Sequence, residues 1–196
     1  MKPIRLVLLC GVLTMTGCAS SGNAPAMFLL DQHHSPAEPQ SATNEDGVLV
    51  VEPVRISPYL DESGIVYQTT AHRVAIANNN RWAAPLAGQL RDALESELAA
   101  ALPGIRVQQR SDADRADLRL ATRVDAFMGH YDGHAHIAGH WQLMDANGAT
   151  LLREPFQRRV ALEEDGYDAL VESLSSGWRT NARELAPRIR AAMNSR

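Results

Sequence analysis

The sequence predicts an α+β fold, with a mainly antiparallel sheet and two long helices packed on one face. Three observations lead there. Segments that alternate apolar and polar residues fall into two groups. Two long segments instead repeat their apolar residues at helical spacing. Between two of the alternating segments stands Asp145-Ala146-Asn147-Gly148, a hairpin turn of the kind Asn-Gly favours. The order is therefore strands, helix, strands, helix. Half-polar strands leave one sheet face for the helices and the other for solvent or a partner.

Met27-Phe28-Leu29-Leu30 is a short apolar run suited to a first strand. From Asp31 to Gly47 the chain turns to His, Ser, Pro, Glu, Gln and Asn without periodicity, which reads as a long exposed loop. Val48 to Val51 predicts a buried strand, and Gly64 to Ala77 one or two more. Asn78-Asn79-Asn80 reads as a turn. It leads into a helix over 82–102, where Leu86, Leu90, Leu94, Leu98 and Leu102 recur every fourth residue and Pro103-Gly104 stops the run.

After Ile105 to Gln109 come three longer strands. The first places Leu118, Leu120, Thr122, Val124, Ala126 and Met128 on one face, with Arg119, Arg123 and Asp125 on the other. The second, 134–144, alternates Ala135, Ile137, Trp141 and Leu143 with His134, His136, His140 and Gln142. The third covers 150–162. A closing helix over 167–193 aligns Leu170, Val171, Leu174, Trp178, Leu185 and Ile189, with a kink expected at Pro187.

Ahead of this domain the chain starts as an export signal. Lys2 and Arg5 precede an apolar stretch from Leu6 to Leu13, followed by small and polar residues up to Gly17 and Cys18. Leu13-Thr14-Met15-Thr16-Gly17-Cys18 resembles a bacterial lipobox, in which the signal is cut before the cysteine and the cysteine is lipidated. The alternative is an ordinary secretory signal cut after Ala24 or Ala26. The expected organisation is a signal peptide over 1–17, a lipidated tether over 18–26 and a periplasmic domain over 27–196. Covalent lipid on Cys18 is the only attached group expected. Each buried methylene contributes about 0.8 kcal/mol, and two or more acyl chains anchor stably where one does not. Ala19 follows the cysteine where inner-membrane lipoproteins commonly carry Asp, so sorting to the outer membrane is expected.

Charge narrows the partners. Loss of Lys2 and Arg5 with the signal leaves 17 basic residues against 23 acidic ones, so the formal charge moves from -4 to -6. Lys2 is the only lysine. The remaining arginines form no basic stripe of the sort that phosphate backbones require, which argues against nucleic acid.

Few constellations suggest chemistry. His134, His136 and His140 share a strand face together with the nearby His130, and imidazoles two apart can converge on a metal, so a periplasmic metal or small-ligand binder is the alternative function. Polar alternation alone also places histidines there. Ser63-Gly64 and Ser176-Gly177 lack the strand-to-helix setting of a nucleophile, and Glu163-Glu164-Asp165 reads as a helix cap. No enzyme is expected. Pro58-Tyr59-Leu60-Asp61 and Arg81-Trp82-Ala83-Ala84-Pro85-Leu86 place aromatics where they either pack at the core edge or form a partner surface.

With the lipobox, the Met27–Leu30 strand, Pro58-Tyr59-Leu60-Asp61 through Val66, Arg81-Trp82-Ala83 with Pro85-Leu86, and the closing helix, the chain resembles the ABC-type transport auxiliary lipoprotein family. The resemblance implies a non-catalytic outer-membrane lipoprotein on the periplasmic side. It also implies work with an MCE-domain protein that bridges the periplasm, in lipid transport or envelope integrity, and a ring of identical subunits. Tyr59, Leu60, Asp61, Arg81 and Trp82 are the expected contacts.

Overall fold

The computed structural model describes residues 24–30, 47–109 and 116–195. The expected signal peptide, Cys18, most of the tether and nearly all of the expected loop after Leu30 lie outside the described residues.

Strand β7 (Leu118–His130) organises the sheet. Along one edge it pairs antiparallel with β8 (His134–Asp145), which pairs antiparallel with β9 (Thr150–Ala161). Its other edge takes three parallel strands in succession: β2 (Gly47–Val51) at Leu118, β3 (Arg55–Ile56) at Arg123 and β4 (Gly64–Thr70) at Gly129. Strand β6 (Ile105–Gln109) lies parallel to β2. Strand β5 (Arg73–Trp82) is antiparallel to β4, and β1 (Ala26–Phe28) is parallel to β5. The sheet is thus mixed. Its long ladders are antiparallel, and the parallel ones are short.

Helix α1 (Leu86–Ala101) buries Leu86, Leu90, Leu94 and Leu98, and α2 (Tyr167–Asn194) buries the six apolar residues picked out by periodicity. Helix α2 packs across β7, β8 and β9, and α1 lies against α2 and β6. Between helices and sheet, Trp178 meets Trp141 at 5.5 Å, Phe156 at 5.9 Å and Phe127 at 6.2 Å between ring centroids. Its indole N–H donates to the Leu90 carbonyl of α1 at 3.0 Å, so the largest buried ring also has its polar atom satisfied. Helix α2 runs on through Pro187.

Three local expectations are corrected. Asn78-Asn79-Asn80 lies inside β5, because β1 pairs with Asn80, Arg81 and Trp82, and that pairing overrides the turn propensity of asparagine. The turn falls at Ala71-His72 instead. Trp82 ends this strand rather than opening the helix, and its N–H donates to the Ser63 carbonyl at 2.8 Å. Ala84 precedes a proline and is steered away from helical torsions, so α1 starts only after Pro85.

The third correction concerns the faces of β7. The register shifts between Val124 and Ala126, leaving Asp125 as the extra residue of a β-bulge. Because strand side chains alternate, one extra residue reverses the faces beyond it. Phe127 and Gly129 therefore point into the core, while Ala126 and Met128 fall on the opposite face, where Met128 stays half-buried against the edge of the core.

Candidate functional site on the open sheet face

The face of β7–β8–β9 turned away from the helices is polar. On β8 the alternation holds throughout, so His134, His136, His140 and Gln142 all lie on this face. Yet the structure splits the predicted histidine set into two clusters. Each is built around one aspartate.

The first cluster centres on Asp125 at the bulge. His140 Nδ1 lies 3.0 Å from Asp125 Oδ2, and Arg123 Nε donates to Asp125 Oδ1 at 2.7 Å. The Tyr59 hydroxyl donates to the Asp125 backbone carbonyl at 2.6 Å. Partial burial, and then the Asp125 charge, raise the Tyr59 phenol above its ordinary value. Beside this cluster runs a groove of about 800 Å³ whose walls include Glu52, Arg55, Arg123, His140 and Arg153.

The second cluster forms where β7 turns into β8. Gly133 adopts φ +79°, which a side chain would strain, and His130 and His134 face one another across the ladder. Asp132 sits in this turn. Its Oδ1 accepts from the His134 backbone N–H at 3.2 Å, an Asx-type contact that fixes the carboxylate. His130 Nδ1 approaches the same oxygen to 2.8 Å and His136 Nε2 to 3.9 Å, while Arg159 on β9 pairs with Oδ2. The His130 and His136 rings stack at 4.0 Å with 8° between their planes.

These surroundings set the protonation states. Partial desolvation pushes the Asp132 carboxyl upward, but the His130 hydrogen bond and the charges of Arg159, His130 and His134 outweigh it and hold the group at about 2. His136 is shifted down, first by burial and then by the neighbouring His130 charge, against the pull of Asp132. A neutral His136 beside an ionised Asp132 is the favoured pair. His136 Nε2 is buried and has no hydrogen-bond partner.

Among the described residues, His130, Asp132 and His136 are the group whose donor atoms come together, all within 4.8 Å of one another. His134 adjoins them through Nδ1, 3.0 Å from the Asp132 carbonyl oxygen. His140 is committed to Asp125. Asp132 had a readable signal, since Asp-Gly between alternating strands marks a tight turn that makes residues 130 and 134 cross-strand partners.

The five expected contact residues divide by burial. Leu60 and Trp82 belong to the core, Leu60 at 1% exposure and Trp82 at 5%, with the Trp82 ring 6.2 Å from Phe127. Tyr59, Asp61 and Arg81 are exposed. The two motifs meet in space, because Gly64 pairs with Arg81 and Ser63 accepts from Trp82.

Comparisons with known proteins agree with this architecture. The chain is 34% identical over 178 residues, 91% of its own length and 93% of the relative's, to the intermembrane transport lipoprotein PqiC of Escherichia coli (strain K12). The Shigella flexneri protein of the same name matches equally. A crystal structure of an uncharacterized protein, also 34% identical, superposes with a TM-score of 0.73 over 85% of this chain and 99% of that one. A Xanthomonas campestris protein at 19% identity shares the fold, with a TM-score of 0.68 over 88% and 97% of the two chains. Residues 28–186 match the family described as the ABC-type transport auxiliary lipoprotein component, and the chain belongs to that family.

Proposed function

We propose that this chain is an outer-membrane-anchored lipoprotein on the periplasmic side, serving as a non-catalytic docking and scaffolding part of an intermembrane lipid-transport or envelope-integrity system. The observation that carries the reading is the 34% identity with an intermembrane transport lipoprotein, over 91% of this chain and 93% of the relative. Lipid on Cys18 supplies the anchor, and an MCE-domain protein bridging the periplasm is the partner. A ring of identical copies is the proposed assembly.

Several features support it. No helix among the described residues is long and apolar enough to cross a membrane, so attachment falls to the lipid in this reading. Strand β1 begins a few residues after Cys18 and is tied into the domain at and just beyond its C-terminal end: Ala83 N–H donates to the Phe28 carbonyl at 2.8 Å, and Leu30 N–H to Gln89 at 2.8 Å. A pull on the anchor is thereby passed to the sheet and to α1. Tyr59, Asp61 and Arg81 offer a mixed polar and aromatic surface of the kind that partner contacts use.

Density-gradient fractionation of cell envelopes tests the anchoring. The native protein is expected with the outer membrane and the Cys18→Ala variant in the soluble periplasmic fraction. A variant that stays in the outer membrane would refute the lipid anchor.

A further inference from the structure

We propose that His130, Asp132 and His136 form a binding site for a late first-row divalent metal ion of the zinc type at the β7–β8 turn. This stands apart from the transport reading and uses different residues from the docking surface above.

The donor set comes first. Two imidazoles and one carboxylate make an N₂O set, which suits zinc, copper or nickel and leaves one tetrahedral position for water or a further donor. Magnesium and calcium prefer several oxygens, and a single carboxylate beside nitrogen donors serves them poorly. Donors bound at about 2.0–2.1 Å around a tetrahedral ion lie roughly 3.4 Å apart. Here the spacings from Asp132 Oδ1 are 2.8 Å to His130 and 3.9 Å to His136, so the set brackets that value without an ion.

The surroundings agree with ligation. His136 Nε2 is a buried acceptor or donor left without a partner, an arrangement that ordinarily calls for an explanation and that an ion would satisfy. Arg159 holds Oδ2 and leaves Oδ1 to the histidines, as outer-shell groups do when they orient a ligand. His134 braces the same turn through the Asp132 carbonyl. Ligation requires the stacked rings to swing out of their 8° alignment, and rotation about χ2 of histidine is soft.

The test uses the full lipoprotein, purified in detergent with a histidine-free tag and stripped with chelator, and titrated calorimetrically with zinc chloride. One zinc per chain is expected. His136→Ala and His130→Ala should each weaken binding by at least about 10-fold, since loss of mere outer-shell partners already costs that much. His140→Ala should leave it unchanged. Asp132→Asn keeps the side-chain shape, so its loss of zinc affinity, with unaltered circular dichroism, decides the matter if a histidine variant does not fold. Upon zinc addition the ring resonances of His130 and His136 should shift together. No zinc uptake by the native protein, or zinc affinity unchanged from native in both His136→Ala and Asp132→Asn, would overturn the site. A loss in His140→Ala as large as in His136→Ala would overturn it as well.

Discussion

The side-chain carbonyl of Gln89 accepts a hydrogen bond from the Leu30 backbone N–H at 2.8 Å, while its amide nitrogen donates to the Ala84 carbonyl at 2.8 Å. Gln89 is 2% exposed, so one buried amide joins the end of the first strand segment to the start of α1. Such a group is costly to leave half-made, because the partners have lost water. Gln89→Met keeps the volume and removes both bonds. It should destabilise the domain by about 1–3 kcal/mol in denaturant unfolding, with amide exchange at Leu30 faster than in the native protein.

Trp178 makes a comparable join between the two helices. Trp178→Phe retains an aromatic ring against Trp141 and Phe156 but loses the donor to Leu90 and part of the volume. A loss of about 1–3 kcal/mol is expected. Trp178→Ala should cost more, about 3–5 kcal/mol, because it opens a cavity between sheet and helices. Equal stability of the two variants would mean that the ring does not fill the core as described.

Gly139 sits opposite the bulge. A methyl group there would clash with the Arg123 carbonyl oxygen and with Phe156 Cζ. The oxygen belongs to backbone and cannot swing aside. Gly139→Ala should therefore cost about 1–3 kcal/mol by overpacking, whereas Gly88→Ala on α1, where nothing lies within 4 Å of the added carbon, should be neutral or slightly stabilising in thermal unfolding.

Tyr59 gives a pH prediction. Its phenol is raised in the folded chain by burial and by Asp125, so folding favours the protonated form. The stability this contributes is complete below the unfolded value of 10.0 and is lost as pH rises through the higher folded value. Tyr59→Phe cannot ionise. Its alkaline loss of stability should be shallower than that of the native protein, and an ultraviolet titration should lack one late-ionising phenol.

How much of this was legible depends on whether local pattern or distant pairing decides a residue's place. The leucines of α1 and the apolar stripe of α2 repeat without interruption, and both helices lie where that period puts them. The even-numbered face of β8 is equally direct, since no bulge falls within its pairing to β7 beyond the extra residue Asp125 on the opposite strand. That extra residue explains the misplaced half of β7: Ala126 and Met128 continue a period of two on paper, and only the partner strand reveals the slip. Asn80 and Trp82 are held in their strand by β1, more than fifty residues earlier in the chain. The candidate site shows both regimes. His134 and His136 were readable as one face, but Asp132 enters through a turn and His140 leaves through Asp125, contacts that no spacing along one strand contains.

The central claim is that the domain docks an MCE-domain protein while its lipid holds the outer membrane. Photo-crosslinking in living cells, with the reactive residue placed at the exposed positions of Asp61 and Arg81, addresses it most directly. Recovery of an MCE-domain protein from these positions, lost when the probe is moved to the buried position of Leu60, is the predicted result. A correctly localised, folded protein that crosslinks to no MCE-domain protein from either exposed position would contradict the account.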